Sequence, residues 1–123
     1  VEGLGHCSMC HTPLNIFGAP QRSKYLSGGF IDGFWAPDIT QLGLRTSSID
    51  DIIKVFKQSE LINEAGKVAG PMAEVNHNSL MRLKDEDLRA IAIYLKSVKS
   101  TRSNLGKRLA GMEHHAVGKA VFE

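Results

Sequence analysis

The sequence predicts an all-α domain whose long loops wrap a bound group. Three observations carry that expectation. Two stretches repeat apolar residues with the helical period. No stretch of any length alternates apolar and polar residues as a half-buried strand would. Between the N-terminal turn and the first helix lies a long segment rich in glycine and proline. The chain has 123 residues with a net charge of +2, and 42% of it is hydrophobic but only 7% aromatic. That length favours one domain. A small domain with few aromatics often needs a metal, a disulfide or a cofactor to complete its core.

The first element is a turn at "GLGHCSMCHTP", residues 3 to 13, which holds both cysteines of the chain. Four chemistries use two thiols beside an imidazole. A disulfide between Cys7 and Cys10 closes too short a loop to stabilise much. A thioredoxin-like pair should follow a strand, and no strand is predicted before Cys7. Closed zinc sites take four Cys or His ligands, usually as two spaced pairs, and His77 and His114/His115 offer no second pair. The fourth reading is covalent haem, for which C-x-x-C-H is the attachment signature. Cysteines one helical turn apart present both thiols to the two porphyrin vinyl groups. The histidine that follows, His11, falls beneath the iron as its proximal ligand.

A second axial ligand must come from elsewhere. Met9 and His6 lie on the attachment side. Met72, in "AGPMAEV", follows Gly70 and Pro71, a turn expected to hold it on a loop across the ring. Met72 is the first candidate and His77 the second, while Met81 fits the core. His/Met ligation would raise the reduction potential and fill both axial positions. Such an iron passes electrons and does not bind substrate.

Residues 13 to 46 contain eight glycines and prolines and no sustained period. Loops this long usually serve a function; here Phe17, Phe30, Phe34 and Trp35 would line the haem. Ile49, Ile52, Ile53 and Phe56 then mark one helix face, with Ser47 as its N-cap and Asp50 in its first turn. Leu88, Ile91, Ala92 and Leu95 mark another. Asp85, Glu86 and Asp87 crowd its start, and Lys96 and Lys99 its end, as the helix dipole favours. Residues 97 to 108 are polar and basic without an acid and read as a linker or tail. Residues 109 to 123 turn mildly helical again. The charge is too mild for nucleic acid, and no apolar run nears the roughly 20 residues of a membrane span. No signal peptide is visible, which suggests a mature form or an excised piece.

Four ordered motifs, "GHCSMCHTPLNIFGA", "YLSGGFIDGFWAPDIT", "GPMAEV" and "LKDEDLRAIAIYLKS", resemble one haem domain of a specific group. This is the multihaem cytochrome c subunits of bacterial membrane-bound dehydrogenases, which oxidise alcohols, aldehydes, gluconate and other sugars or polyols. The resemblance covers residues 3 to 98. It implies a class I cytochrome c fold, with one haem c on Cys7 and Cys10, His11 proximal and Met72 distal. By the same likeness Trp35 lies near the haem edge, and Pro20 would offer its carbonyl to the His11 ring. The function implied is electron transfer from a dehydrogenase subunit or a neighbouring haem to a quinone, haem or oxidase. The implied location is the periplasm, at the outer face of the cytoplasmic membrane, with membrane association only through the parent complex. Within this class the alternative is a stand-alone periplasmic carrier. Outside it stand an open-site, peroxidase-like haem domain and a haem-free CxxC module.

The sequence departs from the family pattern at Leu14, where arginine is common, and at Asp38, where asparagine is. Lys84 stands where threonine commonly opens the last helix, so Asp85 is expected to cap. Only six residues precede Cys7, too few for the helix that normally opens the fold. The end, "VGKAVFE", resembles the start of a following haem domain. The expected division is therefore residues 1–98 as the haem domain and 99–123 as a linker running toward the next. The segment Ala116–Phe122 is expected to replace the missing helix, in its own chain or in a swapped oligomer.

Overall fold

The computed structural model describes residues 1–61 and 66–101. The expectations for residues 102–123, including the packing of Ala116–Phe122, lie outside the described residues. Six elements follow one another: α1 (Cys7–His11), β1 (Gly29–Ile31), β2 (Phe34–Ala36), α2 (Ile49–Gln58), α3 (Pro71–Asn78) and α4 (Asp85–Ser97), with short 3-10 turns at Arg22–Lys24 and Leu80–Arg82. The architecture is mostly helical, as predicted.

The two periodic stretches form α2 and α4, which pack on each other. Ile52 and Phe56 from α2 and Leu88, Ala92 and Leu95 from α4 are buried, together with Leu26, Leu44 and Leu80. The cap of α2 sits one residue later than predicted. Ser48, not Ser47, accepts from the Asp51 amide at 3.0 Å, and the Asp51 carboxylate accepts from the Ser48 amide at 2.9 Å. This reciprocal pair satisfies two of the amides that every helix start leaves open. Ser47 is instead buried, and its carbonyl accepts from the Lys96 ammonium, which also reaches the Leu44 carbonyl at 2.9 Å. Lys96 thus ties the last turn of α4 to the segment entering α2. Asp85 does not cap α4. It is the first helical residue, Lys84 holds the cap position without a side-chain bond, and the Asp85 carboxylate pairs with Lys57 at 2.9 Å.

Two features, a hairpin and a helix, were not predicted from the residue pattern. β1 and β2 form an antiparallel hairpin in which Gly29 faces Ala36, Phe30 faces Trp35 and Ile31 faces Phe34. Its two-residue turn is Asp32–Gly33, both with positive φ (48° and 82°), the geometry that Asp-Gly favours. The other is α3. Pro71 does not end a helix but begins one, at the first helical position. There proline's missing N–H costs nothing and its fixed φ fits. Met72 therefore stands on the first turn of a helix and not on a loop. Met81, expected in the core, is 38% exposed, and its neighbour Leu80 is buried in its place.

Candidate haem-attachment site

α1 is a single helical turn held from both sides. The Cys7 amide donates to the Val1 carbonyl at 3.3 Å, and the Gly28 amide donates to the His11 carbonyl at 2.7 Å. Thr12, also buried, accepts from the Leu26 amide at 3.0 Å. Gly29 lies so close to α1 that a Cβ there would stand 2.6 Å from the Cys10 carbonyl oxygen. Cys7 and Cys10 are half-buried free thiols. Burial pushes the Cys7 thiol above its usual range, so it stays protonated at neutral pH.

His11 is 7% exposed. Its Nδ1 lies 2.7 Å from the Pro37 carbonyl. A carbonyl can only accept, so Nδ1 carries the proton and Nε2 keeps its lone pair. Burial lowers the His11 pKa, against the opposing pull of that hydrogen bond and of Asp38, which favours the neutral ring. The carbonyl that meets the His11 ring comes from Pro37, not from Pro20. Pro20 is exposed and bridges to Leu14 in the loop after α1. The family likeness points to Pro20, but the hairpin brings the chain back so that Pro37, just past β2, meets the ring.

The same hairpin reaches α3. Residues directly opposite share a face, so Gly29, Ile31, Phe34 and Ala36 face one way and Phe30 and Trp35 the other. The first face meets Cys10 through Gly29. Through Phe34 it also meets Gly70, where a Cβ would stand 2.7 Å from the ring. Gly70 also has φ 61° and ψ −146°, a region open to glycine alone. Phe34 thus abuts the residue two before Met72, which is half-buried and packs against the core. Phe30 and Trp35 are 66% and 60% exposed on the other face, and Phe17 sits at the tip of a separate loop. His77 is exposed.

These residues fit a covalent haem. Two free thiols stand one turn apart on one short helix. A neutral imidazole beside them has one nitrogen fixed and the other free to ligate. Among the described residues, no group of three or more His, Cys, Asp or Glu side chains gathers to hold a metal ion otherwise.

A mostly helical domain organised around such a turn is the fold of a c-type cytochrome, and this chain belongs to the cytochrome c family, which its residues 4–99 match. It is an electron-transfer domain related to the cytochrome subunits of dehydrogenases, and its family implies covalent haem c. It is 39% identical to the fructose dehydrogenase cytochrome subunit of Gluconobacter japonicus over 93% of its own length and 24% of that protein's. It is 38% identical to the cytochrome c subunit of the quinone alcohol dehydrogenase of Gluconobacter oxydans, over 87% of this chain and 24% of that one. To a diheme cytochrome c-type protein of Cereibacter sphaeroides it is 43% identical, over 80% of this chain and 33% of the other. The chain therefore spans a quarter to a third of the length of these relatives.

Proposed function

We propose that this domain relays electrons from a dehydrogenase partner, directly or through another haem, to a quinone, a further haem or an oxidase of the respiratory chain. Cys7 and Cys10 would hold the haem as thioethers, and His11 and Met72 would be its axial ligands. A haem bound there supplies a one-electron iron couple, whose potential His/Met ligation raises. The protein's own part is orientation. Pro37 fixes the imidazole plane and tautomer, burial keeps the ring neutral, and the hairpin spans the attachment turn and the start of α3. The observation that carries the reading is the 2.7 Å bond from His11 Nδ1 to Pro37, beside two free thiols. Thioether attachment, as in c-type cytochromes, supports a periplasmic location, and the names of the relatives, cytochrome subunits of fructose and alcohol dehydrogenases, support a dehydrogenase complex as the setting. No helix among the described residues is long and apolar enough to cross a membrane.

The test is a visible spectrum, oxidised and reduced, followed by alkaline pyridine haemochrome. The expected result is a two-thioether c-type haem with a weak far-red methionine–iron band in the oxidised protein. Met72→Ala should leave the haem attached, lower the potential and open the iron to carbon monoxide. Unchanged potential and carbon monoxide binding would move the distal role elsewhere, to His77 first. A colourless protein would overturn the whole reading.

A further inference from the structure

We propose that Asn76 is a positioning residue that clamps the helix bearing Met72 to α2; the proposal rests on Met72 being the distal ligand. Asn76 is fully buried in the middle of the packed face of α3. Its amide nitrogen donates to the Val55 carbonyl at 2.8 Å and to Ser59 Oγ at 3.1 Å. The Val55 carbonyl only accepts, so the amide nitrogen must be the atom that faces it. Its other atom, Oδ1, is buried and finds no partner among the described residues. An apolar side chain at this position would carry no such desolvation cost. What the amide contributes is therefore a fixed geometry.

That geometry bears on Met72. Asn76 follows Met72 by four residues, one turn along the same helix face. α3 has eight residues and no side-chain cap, and so short a helix is marginal alone. Among the described residues, Asn76 makes its only side-chain hydrogen bonds. The acceptors sit at the far end of α2, where Val55 O also closes the last turn onto the Ser59 amide at 3.1 Å. α2 is itself fixed on α4 by Ile52 and Phe56 in the core and by the Lys57–Asp85 and Asp50–Arg89 pairs, both at 2.9 Å. The clamp carries the rigidity of the α2–α4 pair to the methionine.

The experiment uses the haem-loaded chain and added imidazole, which must displace the distal side chain, followed through the visible absorption spectrum. Asn76→Leu keeps the branching and heavy-atom count of the side chain, at somewhat larger volume, and removes the donor. It should bind imidazole at least about tenfold more tightly than the parent, the equivalent of about 1.4 kcal/mol. Ser59→Ala, which removes one acceptor, should shift binding the same way by about threefold, as one lost hydrogen bond does. Val98→Ala loosens the core at the opposite end of α4 from the clamp and should stay within about twofold. Asn76→Leu within twofold of the parent, or Val98→Ala shifting as far as Asn76→Leu, overturns the proposal. Should Asn76→Leu fail to fold, Ser59→Ala decides alone, and no shift there overturns it. Met72→Ala separates the two readings. If it leaves imidazole binding unchanged, the distal assignment has failed and the clamp falls with it. If it tightens binding while the clamp variants do not, only the clamp has failed.

Discussion

Around α1 the decisive contacts are made by backbone and by the residue with no side chain. Gly29 meets the Cys10 carbonyl, and a backbone oxygen in a doubly tethered turn has little room to move. A methyl group 2.6 Å from it must push α1 and β1 apart. Gly29→Ala is therefore expected to cost about 1–3 kcal/mol, as overpacking does, and to lower the yield of attached haem. Denaturant unfolding of the loaded protein checks the first and the pyridine haemochrome the second. A variant as stable and as well loaded as the parent would show that the turn is more yielding than its contacts indicate. The residue scale also shows where the sequence was readable. Cys7, Cys10 and His11 announce themselves because the attachment chemistry fixes their spacing. Pro37 does not, since what it offers is a main-chain carbonyl, which every residue has. Only the path of the hairpin selects it.

At the scale of elements, α2 and α4 were legible because their buried positions are apolar and recur every three or four residues. α3 was hidden by the polar residue at its centre. Met72, Val75 and Asn76 have the helical spacing, but a buried asparagine breaks the apolar stripe, and Pro71 read as a stop when it is a start. The hairpin escaped because three-residue strands are too short to alternate visibly, although Asp32–Gly33 marks its turn. Both the helix contact and the helix cap can be tested. Leu88 is fully buried between α4 and the rest of the core, so Leu88→Ala should cost about 2–5 kcal/mol. A loss under about 1 kcal/mol in chemical denaturation would place Leu88 outside the α2–α4 contact that organises the fold. The second concerns pH. Hydrogen bonds from the Ser48 amide and hydroxyl hold the Asp51 carboxyl below its usual 3.8. The unfolded chain then binds a proton more readily than the folded one, so stability falls as pH falls. The contribution is whole above the ordinary carboxylate range and is lost as pH drops through the lowered folded value. Asp51→Asn should flatten the acid limb of a plot of Tm against pH in that window. An acid limb unchanged in slope would mean that the cap is not titrating there.

For the whole molecule, the question is how a chain this lean in aromatics holds together. Among the described residues the buried apolar cluster has eight members, and Phe56 is its one aromatic. Phe17, Phe30, Phe34 and Trp35 are all at least 48% exposed. An aromatic side chain carries roughly 150–250 Å² of surface, and covering apolar surface yields about 25 cal/mol per Å². Each ring left in water thus forgoes a few kcal/mol, against a typical total stability of about 5–15 kcal/mol. The core that the described residues build accordingly leaves much aromatic surface uncovered. A flat apolar group fixed to α1 would extend that core from the side where the hairpin joins α1 to α3. Stability and cofactor should then be inseparable. Replacing both thiols, Cys7→Ser with Cys10→Ser, is expected to abolish cooperative unfolding, leaving a broad, low-amplitude transition in circular dichroism with dye-accessible apolar surface. Replacing one should leave a thioether and an intermediate midpoint. A colourless double variant that unfolds in one sharp step would show that the eight-residue cluster suffices alone, and that the attachment turn serves electron transfer without serving the fold.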